Sequence, residues 1–94
     1  MKVLWADRAL QDLEDILDYI NWDNPSAARR LHDKVFEKTD KLRDFPEMGP
    51  ISLEAGEPFR EILTKPLRIL YLHEGESVTI IAVLREEADL RSLR

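Results

Sequence analysis

The pair Asn24-Pro25 falls between two stretches of helical periodicity, and no other feature limits the fold of this chain so tightly. Before it, Ala9, Leu10, Leu13, Ile16, Leu17 and Ile20 recur at steps of three and four, which places them on one face of an amphipathic helix. Asp12, Glu14, Asp15 and Asp18 occupy the other side, Asp7 stands where an N-cap is expected, and the pattern ends around Trp22. After it, Ala28, Leu31, Val35 and Leu42 form a second apolar stripe with Phe36 beside it. Asn caps a helix well, and Pro at the first helical position gives up an N–H that had no partner. So short a link predicts two antiparallel helices. Phe45-Pro46 stops the second one and Gly49-Pro50 turns the chain out of it.

The rest of the sequence reads as strands. Met1–Trp5 is a first, and Phe59–Thr64, Leu67–His73 and Ser77–Leu84 follow after the helices, the last two joined as a hairpin through Glu74-Gly75-Glu76. In Leu67–His73 both alternating sets are apolar, so that strand belongs inside its sheet. The expected architecture is α+β: strand, two-helix hairpin, then three strands, the helices packed on one face of a small antiparallel sheet. One domain spans residues 1–94, with 85–94 as a polar tail. Nothing within the chain is expected to cover the opposite sheet face, so a stable partner is expected to do so.

Composition narrows the function. The chain has no cysteine, which removes disulfides, thiolate nucleophiles and cysteine zinc sites. Its longest apolar stretch, Val78–Leu84 interrupted by Thr79, is far shorter than the ~20 residues of a membrane span. No basic, apolar leader opens the sequence, so a cytoplasmic location and no membrane partner are expected. The formal charge of −5 weighs against general nucleic-acid binding. All of that excess lies in residues 1–57, which hold 8 basic against 13 acidic side chains.

Taken in order, Ala9, Asp12-Leu13 and Ile16, then Tyr19-Ile20 and Asn24-Pro25-Ser26-Ala27-Ala28, then Leu42, Phe45-Pro46 and Gly49, then Arg60, Leu67-Arg68-Ile69-Leu70-Tyr71 and Ile80 to Leu84 resemble the RelE/ParE superfamily of type II toxin–antitoxin toxins. The helical hairpin is more similar to the ParE branch. The resemblance implies a cognate antitoxin that wraps the toxin, and operator DNA met only through that antitoxin. It implies no cofactor and no metal. ParE-like toxins poison DNA gyrase by binding; RelE-like toxins cut messenger RNA on the ribosome. A toxin that has lost its activity while keeping its antitoxin is a third reading. The chain departs from the family where Pro50 follows Gly49 in place of a basic residue, where Arg85-Glu86 replaces a His-Gly pair, and where no Tyr follows Arg85.

A metal-free ribonuclease needs a base, an acid and a stabiliser for the crowded phosphate. From the RelE catalytic set the resemblance carries over Arg68, with Arg85 a loose second. For a binding toxin the expected target contacts are Arg60, Arg68, Arg85, Arg91 and Arg94, and the expected antitoxin contacts are Leu31, Val35, Leu70, Leu72 and Leu90. A shared anion site needs Arg68 and Arg85 on one sheet face. A hairpin loop of even length provides that and a three-residue loop does not; four residues, His73–Glu76, are expected. Tyr71 is a candidate base or acid near Arg68 but as a strand residue reads rather as core, and His32 and His73 read as surface imidazoles. Asp12, Asp15 and Asp18 read as a solvated face rather than a cation site. Arg30, Lys34, Lys38 and Lys41 form a basic line, read as a solvated face that also has the chemistry to touch phosphate.

Overall fold

The computed structural model describes residues 1–88. Strand β1 (Lys2–Trp5) leads into helices α1 (Asp7–Asp23) and α2 (Pro25–Asp40), and a short 3-10 turn (Lys41–Arg43) follows. Strands β2 (Phe59–Thr64), β3 (Leu67–Glu74) and β4 (Ser77–Arg85) complete the α+β fold. The strands lie in the order β1-β4-β3-β2. β2, β3 and β4 are antiparallel as expected, but β1 joins β4 in parallel, so the sheet is mixed. The helical hairpin carries the chain from β1 to the far side of the sheet, a crossover that antiparallel neighbours would not need.

Asn24 caps α2 as its sequence implies, its Oδ1 accepting from the Ala27 N–H at 3.1 Å with Pro25 at the first position. Asp7 does not cap α1: it is the first helical residue, Ala6 holds the cap position, and no side chain bonds the free N–H groups there. The helices cover one sheet face, burying Ala9, Leu13, Leu31, Val35 and Leu42 against Ile62, Leu67, Ile69, Tyr71, Val78, Ile80 and Val83. Each large aliphatic side chain removed from water here stabilises the fold by about 1.5–3 kcal/mol.

The second sheet face differs from expectation. Residues 50–58 fold back beside β2, with Ile51 bridging to Arg60, and Glu54 reaches Arg68 on that face. Leu70, Ala82 and Leu84 are consequently buried, leaving a cross-strand row of Leu4, Thr79, Leu72 and Phe59 partly exposed.

One helix-to-sheet bond was not legible in the periodicity. β1 ends opposite Ile80, so the outer edge of β4 continues without a strand beside it. Asp12 of α1 fills part of this gap, its Oδ2 accepting the Val83 N–H at 3.1 Å. Asp12→Ala is expected to cost about 1–3 kcal/mol in urea unfolding, because a backbone donor loses its acceptor. Asp12→Asn keeps an acceptor and is expected to lose much less; equal losses would show that the bond contributes nothing.

Candidate functional site

Arg60 and Tyr71 are cross-strand partners on the helix-facing side of β2 and β3. Together they fasten the chain that leaves the helices. The Tyr71 hydroxyl donates to the Pro46 carbonyl at 2.8 Å and accepts the Gly49 N–H at 3.0 Å. Arg60 donates to the carbonyls of Gly49, at 2.7 Å, and Glu47, at 3.3 Å. Arg60 thus acts as a clamp within the chain, through its Nη1.

Burial raises the Tyr71 phenol above its usual 10.0, against the opposing pull of the Gly49 N–H and the Arg60 charge. The unfolded chain releases this proton near its ordinary value while the folded chain still holds it. The Tyr71 contribution to stability is therefore complete below about pH 10 and declines as pH rises beyond it. Tyr71→Phe is expected to lower stability by about 1–2 kcal/mol at neutral pH and to flatten the alkaline decline in urea midpoints. An alkaline decline of unchanged steepness would assign it to another group.

Arg68 sits on the opposite face, with only 15% of its side chain exposed. Its guanidinium pairs with Glu54, lies 3.5 Å from Glu61, and donates to the Ala88 carbonyl at 2.6 Å. Ser52 donates to Glu61 at 2.6 Å and accepts the Ala55 N–H, so the loop is bound into the same network. Two carboxylates neutralise this arginine, which leaves it poorly placed to receive a phosphate.

Arg85 is a diagonal neighbour of Arg68 on the adjacent strand but does not share its face. The hairpin loop has two residues, Gly75 and Glu76, shorter than the four expected but still even. Parity alone would then bring Arg68 and Arg85 to one face. A bulge at Ile81 opposite Leu70/Tyr71 adds one residue to β4 and reverses that outcome. Arg68 pairs with Leu84, Arg85 with Leu67, and the two arginines point to opposite sides of the sheet. The expected shared anion site does not form. Arg85 instead lies over the Tyr19 ring at 5.3 Å, in a shallow depression with Asp15, Ile16 and Glu87.

The other expected residues divide by burial. Leu31, Val35 and Leu70 are core, so the isolated chain offers them to no other molecule, while Leu72 is partly exposed in the cross-strand row. Leu90, Arg91 and Arg94 lie outside the described residues, as does most of the expected tail 85–94. His32 bonds Asp33 and stacks on Phe36; His73 bonds the Gly75 carbonyl. The helical hairpin presents two aromatic rings that the sequence did not single out as contacts, Tyr19 at 74% and Trp22 at 89% exposure. The available signal was their position: both fall off the apolar stripe of α1, one turn apart.

Comparison with known proteins follows the same topology. Residues 3–90 match the sequence profile of the ParE toxin of type II toxin-antitoxin system, parDE. The chain belongs to the ParE toxin family. Its relatives include the Toxin RelE2 of Caulobacter vibrioides, 32% identical over 89 residues that cover 95% of this chain and 98% of that protein. Among solved structures, the chromosomal ParDE TA system from P. aeruginosa superposes with a TM-score of 0.79 at 20% identity, over 93% of this chain and 97% of that one. The YoeB/ParE toxin from Agrobacterium tumefaciens gives 0.65 at 15% identity, covering 90% and 98%. At such identities these structures establish the fold alone. Within this ParE-family member, Asp12, Gly49, Arg60 and Tyr71 of the family-like pattern serve the architecture, joining α1, the loop after α2 and the sheet.

Proposed function

We propose that this toxin-antitoxin toxin acts by binding, with DNA gyrase as its target and a cognate antitoxin that holds it inactive in the cytoplasm. The observation that carries the reading is the fate of its two candidate catalytic arginines. Arg68 is neutralised by Glu54 and Glu61, and the Ile81 bulge sends Arg85 to the other sheet face. Phosphate cleavage needs its charged groups assembled around one phosphorus, preorganised and free to engage it. A binding inhibitor has no such need.

The surface for the target is the helical side around Arg85 and Tyr19, where the cation lies over an exposed ring, with the exposed Trp22 one turn further along α1. Such residues supply much of the energy at protein interfaces. The antitoxin covers the row Leu4, Leu72 and Phe59, with Leu70 packed in the sheet beneath. An extended or helical segment suits so narrow an apolar strip.

One observation favours ribosome-dependent messenger cleavage instead: the 32% identical relative carries the name Toxin RelE2. The purified chain decides between them when tested both for inhibition of gyrase supercoiling and for cleavage of ribosome-bound messenger. Loss of supercoiling with intact messenger supports the binding reading, and the reverse result overturns it. Folded Arg68→Ala protein is expected to retain growth inhibition, whereas a ribonuclease dependent on Arg68 would lose it.

A further inference from the structure

The basic line of α2 does not spread evenly into solvent. Lys34, Lys38 and Lys41 border a cleft of about 350 Å³ closed on its other side by Leu63, Thr64 and Lys65 of β2 and the turn after it. Glu37 is the one acidic residue on its rim. The chain carries 19 acidic side chains against 14 basic ones, so cations without acidic partners are unexpected. Yet among the described residues Lys34 donates only to the Lys65 carbonyl, at 3.2 Å, and Lys65 reaches Glu86 only at 4.0 Å. Among the described residues neither Lys38 nor Lys41 has an ion-pair partner, although Glu37 is four residues from Lys41.

A second observation lies at the same place. Thr64 is 5% exposed, and its Oγ1 is one of two buried side-chain polar atoms without a hydrogen-bond partner among the described residues. A buried hydroxyl left unpaired is unfavourable for folding and calls for an explanation. It borders a cleft whose other charged side chains are four ammonium groups and the single Glu37 carboxylate.

We infer that this cleft binds the phosphate backbone of a nucleic-acid strand, at a site separate from Arg68 and from the Arg85 surface. The spacing selects an extended anion over a compact one. Lys34 and Lys38 of α2 and Lys41 at the start of the 3-10 turn extend over about 10 Å, longer than a single phosphate group. It also disfavours an acidic protein segment, which would need an apolar anchor; Leu63 is the single aliphatic residue lining the cleft. The inference does not depend on whether gyrase or the ribosome is the target, since both work on nucleic acid.

The test is fluorescence anisotropy of the full chain with a labelled twelve-nucleotide oligothymidylate at several salt concentrations. Neutralising about three phosphates on a single strand gives a slope of log K against log salt near −2, a loss of about twentyfold between 50 and 200 mM. Lys38→Gln/Lys41→Gln is expected to weaken binding on the order of tenfold at low salt and to reduce the slope by about 1.4. Lys2→Gln/Arg29→Gln, an equal charge change at exposed positions away from the cleft, is expected to leave both near the wild-type values. Thr64→Val removes the unpaired buried hydroxyl and is expected to raise the melting temperature while leaving oligonucleotide affinity near wild type. Absence of wild-type binding at 50 mM salt overturns the site, as does a lysine double variant that binds like wild type. A polyglutamate peptide of equal charge that binds more tightly than the oligonucleotide does the same.

Discussion

Gly49→Ala is expected to leave this protein largely unfolded at physiological temperature. A Cβ at that position would stand 2.5 Å from the Glu61 carbonyl oxygen, 2.8 Å from Cε1 of Tyr71 and 2.9 Å from Cγ2 of Ile62. The closest of these atoms belongs to the backbone of β2 and cannot rotate aside. The others belong to buried side chains, Tyr71 being held at its hydroxyl by Pro46 and Gly49. To make room, the loop must lift from the sheet, which breaks the Tyr71 and Arg60 bonds together. Overpacking costs about 1–3 kcal/mol and each lost buried bond about one more, against a total stability of about 5–15 kcal/mol for a domain. Urea unfolding with circular dichroism reads the loss directly. A Gly49→Ala chain whose midpoint lies within experimental error of wild type would mean that the close approach is not present in solution.

Arg68→Ala is expected to be the second most damaging change, with a loss of about 2–4 kcal/mol. The reason lies in what remains behind. Glu61 is 16% exposed and keeps Ser52 as a donor but no cation, while the Ala88 carbonyl loses its guanidinium. Arg68→Lys restores the charge but not the planar fork that reaches three acceptors, so it recovers only part of the loss. Adding Glu61→Gln to Arg68→Ala removes a carboxylate left without its cation and is expected to regain about 1 kcal/mol or more over Arg68→Ala alone. Lack of any coupling in that double-mutant cycle would sink the account of Arg68 as a structural ion pair. It would also reopen its candidacy as a catalytic group.

The secondary structure was largely open to inspection because it rests on local rules. Helical periodicity, the Asn24-Pro25 start of α2 and the doubly apolar pattern of β3 each follow from interactions within a few residues. The α+β class follows from them, since two apolar helix faces and one sheet face bury one another. Asp7 shows the limit even of a local rule, standing one residue inside the helix it was expected to cap.

The candidate site was legible as a set of residues but not as an arrangement. Alternation along a strand predicts faces only while pairing is regular, and the Ile81 bulge shifts the register by one residue without leaving a turn signal in the sequence. That shift decides whether Arg68 and Arg85 share a phosphate. Likewise, nothing in residues 50–58 announced that Glu54 would fold over the sheet onto Arg68. Asp12, read as one acid on a solvated face, bonds a backbone N–H that lies 71 residues away along the chain.

The amino-acid order alone therefore determined the elements, their number and their layering, because propensity, capping and periodicity act between neighbours. Tertiary structure alone decided which charges meet: the parallel seating of β1, the covered second face, the separated arginines and the lysine cleft against Thr64. Those depend on contacts between distant segments, whose geometry a one-residue shift in register is enough to invert.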